Sequence, residues 1–282
     1  MKKNLIIVCL LLALAAGCAT LPEPDLAPAG PSLRVVTYNI NWGGPNPERV
    51  AKFLLDADAD IVCLQETHRQ WEAFLKTHLA AAYPHSTFHS SGGAGGIAFM
   101  SKRPLSNVRV LSADAGWFPG LIADVATDIG PVQILNVHLR PPLSETGSAT
   151  VSAYYQSPGV HRKELADFLE AADSNAPLIV AGDFNENEKR GAVKGLLDNG
   201  FRDALSLFDK NSKTWRWRVF PGLTLKNRYD HILFSKHFRC TGAKVFDVRA
   251  SDHLPVLAGM VSNEESAEPS AAGNVRKAAS DL

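Results

Sequence analysis

The sequence predicts an α/β fold, and three observations lead to this class. The chain has 282 residues, 45% hydrophobic and 21% charged, which is enough for one large globular domain or two small ones. Short apolar runs with a period of two, typical of strands, recur along it. Segments with the helical spacing of apolar residues lie between several of these runs. Residues 33–261 are therefore interpreted as the folded body.

The N-terminal residues have the composition of a targeting segment. Residues 1–17 combine a basic start, an apolar stretch and small residues at the end, which is the layout of a signal peptide. The stretch "LAAGC" resembles the lipobox of bacterial lipoproteins, which implies cleavage before Cys18 and lipidation of this residue. Ala19 at the next position implies delivery to the outer membrane, with the protein facing the periplasm. The alternative is an ordinary signal peptide cut near Ala16.

Two further segments lie outside the predicted body. Residues 18–32 are rich in Pro and Ala and lack periodicity, which predicts an extended tether behind the lipidated cysteine. Residues 262–282 contain few large apolar side chains, which predicts a disordered tail.

Charge and cysteine usage exclude some classes of protein. Removal of the signal changes 29 basic against 29 acidic residues to 27 against 29, a net charge of about −2. This balance gives no overall attraction for nucleic acid. No Cys/His cluster has the spacing of a zinc site. Cys63 and Cys240 are expected to be buried free thiols, and a disulfide between them is left open.

In the first half of the body, predicted strands end in polar side chains. Alternation over residues 33–41 puts Asn39 and Asn41 on one face near the strand end. A helix predicted over 47–57 leads to the apolar strand 61–64, and Glu66 follows it. Because burial of a lone carboxylate is costly, Glu66 is either exposed to water or held by a cation or hydrogen bonds.

The pattern continues after a second helix, predicted around residues 71–79. The glycines of "GGAGG" are interpreted as a turn into the strand 97–100. In the strand within 131–140, Asn136 and His138 share one face. A helix predicted over 161–172 then leads to the strand 178–181.

The stretch "AGDFN" follows this last strand and contains Asp183 and Asn185. A Gly-Asp-x-Asn cluster is also ordinary turn chemistry, so the stretch alone leaves a polar turn and an active site open. Glu186 and the next residues are expected in a solvent-facing loop.

Three features near the C-terminal end complete the body. "TWRWRVF", residues 214–220, is interpreted as a core strand, and the alternative is a surface that stacks on bases or lipid head groups. Asp230 lies in a further predicted strand, and Asp252 and His253 stand just before the last one. An Asp that reaches a His fixes the tautomer and position of its imidazole.

Seven motifs in this order resemble the endonuclease/exonuclease/phosphatase family of Mg²⁺-dependent enzymes, which includes deoxyribonuclease I-like nucleases, sphingomyelinases and inositol phosphatases. They are "TYNIN", "CLQET", "GGIAFMSKRPL", "NVHL", "AGDFN", "RYDHILFS" and "SDHLPV", and together they span nearly all of residues 33–261. The resemblance implies a four-layer α/β sandwich, in which two mostly antiparallel mixed sheets pack face to face with helices outside.

The resemblance also implies a metal site. Glu66 is similar to the principal carboxylate ligand of Mg²⁺ in the family, with Asn39 and Asp252 close to the ion. Carboxylate oxygens are the ligands that Mg²⁺ prefers, and Mn²⁺ is a possible substitute.

Five residues match the family's catalytic positions: His138, Asp183, Asn185, Asp230 and His253. In the family, Asp183 corresponds to the group that orients or deprotonates the attacking water, and Asn185 to the group that holds this water and a phosphate oxygen. His253, oriented by Asp230, and His138 correspond to imidazoles that contact the scissile phosphate. Whether Asp183 or His253 takes the proton of the water is left open.

The implied function is hydrolysis of phosphoester bonds by in-line attack of water, as in a phosphodiesterase or nuclease. The alternatives are a phospholipid or small-molecule phosphoesterase and, in another class, a binding protein without catalysis. The expected partners are the phosphoester substrate and the membrane reached through the anchor, and a monomer is expected. One departure concerns apurinic-site endonucleases, whose catalytic tyrosine has no counterpart here, since Tyr154 and Tyr155 lie well upstream. His161 or Arg162 is a candidate for that space.

Overall fold

The structure is a computed structural model that describes residues 21–44 and 46–263. The predicted signal peptide, Cys18 and nearly all of the predicted tail lie outside the described residues. None of the helices in the described range is both long enough and apolar enough to cross a membrane.

The described residues form fourteen strands and five helices, with helices between several of the strands as the sequence predicted. The strands are β1 (Leu33–Asn39), β2 (Ile61–Gln65), β3 (His85–His89), β4 (Ile97–Ser101), β5 (Leu105–Leu111), β6 (Gly120–Thr127), β7 (Gly130–His138), β8 (Leu178–Asp183), β9 (Arg202–Asp203), β10 (Trp215–Phe220), β11 (Leu223–Asn227), β12 (Asp230–Phe234), β13 (Phe238–Val245) and β14 (Val256–Ser262). The helices are α1 (Pro47–Ala57), α2 (Arg69–Leu79), α3 (Val151–Leu169), α4 (Gly191–Asp198) and α5 (Ala204–Phe208).

Twelve of these strands form two six-stranded sheets. The first has the order β13-β14-β1-β2-β4-β3, and the second has the order β5-β6-β7-β8-β12-β9. Strand β1 runs parallel to β2, and β7 runs parallel to β8. The other neighbours within these sheets are antiparallel. The mostly antiparallel mixed sheets expected from the sequence are thereby confirmed.

Alternation along the strands separates three layers of core. One face of β1, which includes Val35, contributes to a core that joins the two sheets. The other face, which includes Val36, packs with Leu54 of α1 and Leu75 of α2. On the far side of the second sheet, a third core packs its strands against α3 and α4. The result is the four-layer α/β sandwich that the sequence predicted.

Helix α3 begins about ten residues before its predicted start. Its first residues lack an apolar stripe, and Pro158 lies inside it, so the sequence pattern did not predict a helix there. Thr150 caps the helix by accepting the backbone N–H of Ala153 at 3.1 Å. The carbonyl of Tyr154, which Pro158 leaves without its helical donor, accepts the Ser157 hydroxyl at 3.0 Å and Arg190 Nη2 at 2.8 Å. The backbone therefore continues through the proline without an unsatisfied carbonyl at that position.

Part of the predicted tether is docked on the domain. The backbone N–H of Asp25 donates to the carbonyl of Thr241 at 3.0 Å, and the Thr241 hydroxyl donates to the carbonyl of Asp25 at 2.7 Å. Leu26 packs against the core under α1 and α2. Residues near Asp25 thus lie along β13 rather than extending freely from the domain.

The prediction that residues 214–220 form a core strand is wrong. Strand β10 pairs with β11 as a separate two-stranded hairpin that joins neither large sheet, and 51% of Trp217 is exposed. The stretch has the residue types of a buried strand, but its strand partner is β11, and the sequence pattern alone does not show which strand it pairs with. Cys63 and Cys240, by contrast, are buried free thiols as predicted.

Gly182 provides a test of how tightly the two parallel strands of the second sheet are packed. Its φ is +152°, and a Cβ at this position would collide with the backbone carbonyl of Val137 on β7. We expect Gly182→Ala to lower the free energy of unfolding by at least about 2 kcal/mol, because both the strain and the clash are in backbone. Urea denaturation checks this.

Gly159→Ala is the matched control for this substitution. A Cβ on Gly159 has no neighbour within 4 Å, and the residue lies inside α3, where Ala is the better helix former. We expect the control to leave stability unchanged or to raise it by up to about 1 kcal/mol. Equal losses in the two variants would contradict the packing argument.

Candidate active site

The predicted site residues lie together at one edge of the sandwich, where strands of both sheets begin or end. Parallel strands end at one edge, so Asn39 of β1 lies beside the end of β2, and His138 of β7 lies beside Asp183 of β8. Strand β12 runs the opposite way and begins at this edge, with Asp230 directly opposite Asp183. Polar ends of strands from both sheets are therefore brought into one cluster.

The centre of the cluster is an Asp-His-Asp arrangement. His253 Nδ1 lies 2.9 Å from Asp230 Oδ2, and His253 Nε2 lies 3.5 Å from Asp183 Oδ2. All three residues are buried. Burial alone would lower the pKa of His253, but the carboxylates of Asp230 and Asp183 raise it to about 10. The geometry thus favours an imidazolium between two carboxylates.

The Asp183 carboxylate connects this arrangement to both sheets. Its Oδ2 accepts the amide of Asn39 at 3.0 Å, and its Oδ1 accepts the backbone N–H of Asn185 at 2.9 Å. Burial raises the pKa of Asp183, and the neighbouring Asp230 raises it further, while His253 opposes both. Asn185 donates its side-chain amide to the carbonyl of Leu139 at 2.9 Å, which fixes the turn after β8.

His138 differs from His253 in its charge. Its Nδ1 lies 3.2 Å from the carbonyl of Ala94, an acceptor, so this nitrogen carries the proton. Its Nε2 lies 3.6 Å from Asp183 Oδ2 and 3.9 Å from Glu66 Oε1. Burial lowers the pKa of His138 to about 4, and the ring stacks on Phe118 at a centroid distance of 4.3 Å. A neutral imidazole therefore presents an acceptor nitrogen towards two carboxylates.

Glu66 and Asp252 lie on the open side of the cluster. Glu66 accepts Asn39 Nδ2 at 2.9 Å and the backbone N–H of Trp42 at 3.1 Å, and burial raises its pKa. Asp252 accepts the side-chain amide of Asn41 at 2.9 Å and the indole N–H of Trp215 at 3.2 Å. Both carboxylates are therefore held in place by neutral donors.

The backbone is strained at this edge. Asn41, Glu66 and Asn185 all have positive φ, at 57°, 61° and 52°. Such conformations are costly for residues other than glycine and concentrate at functional sites.

All eight predicted catalytic and metal-ligating residues lie in this one cluster or at its rim, whereas Cys18 lies outside the described residues. Sequence reasoning missed the role of Trp215 as a donor to Asp252. A tryptophan in a predicted strand gives no sign of the loop that its indole reaches.

The expectation of a solvent-facing Glu186 is wrong, because this residue is buried. Its carboxylate accepts from His161 Nδ1 at 2.8 Å and from the backbone N–H of Val193 at 3.0 Å. His161 Nε2 lies 2.7 Å from the carbonyl of Arg140. Burial alone would lower the pKa of His161, but Glu186 raises it, so that both ring nitrogens donate. His161 thus ties α3 to the turns after β7 and β8 and does not face the cleft.

Glu164 extends this network and predicts a pH effect on stability. Both of its oxygens accept the backbone N–H of Arg140, at 3.1 and 3.2 Å, and burial raises its pKa to about 7. An unfolded Glu titrates near 4.3. The folded state therefore binds the extra proton between about pH 4.5 and pH 7, and this group's contribution to stability falls as the pH rises through that window.

We expect Glu164→Gln to remove this dependence. Relative to the unmodified protein, the variant gains up to roughly 3 kcal/mol between pH 5 and pH 8. Urea denaturation at both pH values measures the difference. Glu145→Gln is the control, since Glu145 also contacts Arg140, at 2.8 Å, but is exposed. Parallel pH profiles for the protein and Glu164→Gln would contradict the prediction.

The cluster opens into one cleft. Its volume is about 850 Å³, and its floor contains Glu66, His138, Asn185, Asp252 and His253. Its sides come from the loop after β7, the first turns of α3 and the hairpin β10–β11. The polar cluster and the side chains of the loop, the helix and the hairpin thus face the same space.

Solved structures of other proteins resemble this fold. The D. rerio TDP2 structure complexed with single strand DNA product is 18% identical, with a TM-score of 0.64, and the match covers 81% of this chain and 98% of that chain. The human Nocturnin catalytic domain with bound sulfate anion is 18% identical, with a TM-score of 0.62, covering 87% of this chain and 100% of that one. An endonuclease/exonuclease/phosphatase from Beutenbergia cavernae is 20% identical, with a TM-score of 0.64, covering 83% and 72%. These likenesses show a shared fold.

Family membership rests on a separate finding. A search of curated proteins gave no match. The model of the Endonuclease/Exonuclease/phosphatase family, however, matches residues 36–253, which include the cluster from Asn39 to His253. The match spans most of the 282 residues, and the chain belongs to the endonuclease/exonuclease/phosphatase family.

Proposed function

We propose that the protein is a divalent-metal-dependent phosphodiesterase that uses Mg²⁺ or Mn²⁺ and hydrolyses its substrate by in-line attack of water. Family membership supports a phosphoesterase in general. The observation that carries the narrower proposal is the cluster of Asp183, Asp230 and His253, in which His253 lines the floor of an open cleft together with Glu66 and Asp252.

The residues around Glu66 fit a divalent cation. His138 Nε2 lies 3.6 Å from Asp183 Oδ2 and 3.9 Å from Glu66 Oε1, and all three atoms are hydrogen-bond acceptors. Among the described ion pairs, none joins Glu66 to a lysine or an arginine. Glu66 Oε1 and His138 Nε2 are two acceptors that face each other without a lysine or arginine between them, which is a suitable environment for a hard metal ion. Glu66, Asn39 and Asp252 would hold this ion.

Another trio, Asp183, Asp230 and His253, also has ligand atoms within 4.8 Å of one another. We favour the Glu66 side for the metal, because the imidazole of His253 already lies between the two carboxylates of that trio. When bound, the metal supplies Lewis-acid stabilisation of negative charge on phosphoryl oxygens.

The side chains of the cluster have distinct proposed roles. Asp183 orients the attacking water and is a candidate to accept its proton, since its carboxylate is fixed by Asn39 and Asn185. The His253 imidazolium, held by Asp230, stabilises charge on the phosphate. Asn185 holds the phosphate and the water, and His138, through its acceptor nitrogen Nε2, holds a proton of the water at the same floor.

The substrate class is open between nucleic acid and a smaller or lipid phosphodiester. TDP2 from D. rerio has a structure with a single strand DNA product, and Nocturnin has one with a sulfate anion.

Anchoring through Cys18 at the outer membrane and a monomeric state are also part of the proposal, and residues 14–18 support the anchor.

Hydrolysis of bis(p-nitrophenyl) phosphate tests the proposed function. We expect turnover in millimolar Mg²⁺ or Mn²⁺, loss of turnover in excess EDTA, and recovery after the metal is restored, because the neutral donors around Glu66 cannot replace a cation. A folded protein that hydrolyses the substrate equally well in EDTA would exclude a metal-dependent reaction. A folded protein without turnover under any metal would exclude the enzyme.

A further inference from the structure

Large apolar side chains line one side of the cleft, and several of them are exposed. This apolar wall consists of Leu143, Val151, Tyr154, Tyr155, Trp217 and Leu225, all of which line the same cleft as the catalytic floor. Val151 is 75% exposed, Tyr155 73% and Trp217 51%. Large apolar side chains that stay exposed together beside a catalytic floor are a feature of binding surfaces.

Trp217 and Leu225 of the hairpin line the cleft, and Lys226 lines it as well. In the register of β10 and β11, Trp217 pairs with Leu225 and Arg216 pairs with Lys226, so apolar and basic side chains occupy opposite faces. Trp215 fixes which face points to the floor, because its indole N–H donates to Asp252. Trp217 lies next along this face, with its ring centroid 6.4 Å from that of Trp215. The apolar wall therefore begins at the phosphate-binding floor and runs outward.

The cleft lacks the charges of a track for a polyanion. Lys226 is the one lysine or arginine among the described residues that line it. Arg140 stacks on Trp117 at 4.2 Å and pairs with Glu145, and Arg190 stacks on Tyr154 at 4.1 Å. Binding of a nucleic acid strand uses several cations along the phosphate backbone. The apolar wall, with its aliphatic Leu143, Val151 and Leu225, fits hydrocarbon better than a row of phosphates.

We propose that the substrate is an amphiphilic phosphodiester, whose hydrocarbon chain lies along the apolar wall while its phosphate occupies the catalytic floor. This inference rests on the proposed phosphodiesterase function and names its substrate class. Transfer of the hydrocarbon chain from water to the apolar wall is favourable, and the wall lies beside the position of the scissile bond.

A series of p-nitrophenyl alkyl phosphates tests the inference, with methyl, butyl and octyl as the alkyl group and all concentrations below micelle formation. Each fully buried methylene is worth about fourfold in affinity, so partial burial of an octyl chain is expected to raise kcat/KM by on the order of a hundredfold over methyl. The octyl-to-methyl ratio is the readout, because it cancels changes in the chemical step. A 20-residue single-stranded oligonucleotide is assayed in parallel.

Matched variants locate the effect. We expect Val151→Ser combined with Trp217→Ser to lower the octyl-to-methyl ratio by about tenfold or more. Val110→Ser removes another exposed valine, on β5 and outside the cleft, and is expected to keep the ratio. Circular dichroism verifies that each variant is folded.

Each outcome has one meaning. A high ratio that falls only in the wall variant supports the amphiphile. A flat ratio in the unmodified protein overturns the inference and leaves the phosphodiesterase intact. Faster, salt-sensitive cleavage of the oligonucleotide overturns it in favour of nucleic acid. Absence of hydrolysis of every compound, with folded protein and metal present, overturns the proposed function and this inference with it.

Discussion

Asp183→Asn is expected to lower kcat/KM for bis(p-nitrophenyl) phosphate by at least about a thousandfold. Loss of a general base alone costs on the order of 10²- to 10⁴-fold, and the substitution also removes a carboxylate that lies 3.5 Å from His253 Nε2. The amide is nearly the same size as the carboxylate, so the turn that begins at Asn185 keeps its position. Initial rates at saturating Mn²⁺ measure the effect.

The fold of this variant is expected to survive. Burial raises the pKa of Asp183, so the ionised side chain is unfavourable for the folded state, and a neutral amide relieves that cost. Asp56→Asn serves as control, because Asp56 is exposed on α1 and pairs only with Lys52 among the described ion pairs. We expect full activity in the control. An Asp183→Asn protein that retains more than about a tenth of the activity would remove Asp183 from the chemistry.

Glu66→Gln is expected to raise the Mn²⁺ concentration for half-maximal activity by more than about a hundredfold. Loss of groups that merely support a metal ligand already costs 10- to 100-fold in affinity, and this change removes the charge of the proposed ligand itself. Gln still accepts the amide of Asn39 through its oxygen, so the arrangement seen at 2.9 Å is preserved. Activity against metal concentration gives the first measurement.

Thermal unfolding gives a second measurement that does not depend on turnover. A ligand that binds only the folded state stabilises it by about 2.7 kcal/mol at a hundred times its dissociation constant. The unmodified protein should therefore melt at a higher temperature with Mn²⁺, and Glu66→Gln should not. Glu72→Gln is the matched control, since Glu72 lies on α2 and pairs with Lys76. Equal shifts in all three proteins would place the metal elsewhere.

Local patterns were sufficient for the strands that carry the site and for the polar residues at their ends, whereas β3, β5, β6, β9 and β13 were not predicted and the two-sheet arrangement came from the family resemblance. Val35 and Val36 point to opposite cores because successive side chains alternate, and this depends on neighbouring residues alone. The likeness of seven short motifs to a known family then allowed Asn39 and His253 to be expected near each other, although 213 positions separate them in the chain. The structure brings both into contact with Asp183.

Other features depend on contacts that no local pattern contains. Glu186 reads as part of a polar loop, yet His161 from another element lies against it and both are buried. Trp217 reads as part of a core strand, yet its strand pairs with β11 in a hairpin outside the two large sheets. Helix α3 passes through Pro158 because Arg190, more than thirty residues away, satisfies the freed carbonyl. Each of these features depends on contacts between elements that are distant in the sequence.

The pairing of β1 with β14 has a consequence for when the site forms during synthesis of the chain. The first strand of the body lies between β2 and the last strand, with Thr37 opposite Val256. Asp252 and His253 belong to the loop just before that last strand, so the catalytic floor is incomplete until the chain's final segment has been made. Under the proposed function, a chain that stops before Asp252 is expected to be inactive towards phosphodiesters, and hydrolytic activity is expected to report the closing of the sheet rather than the folding of its earlier parts.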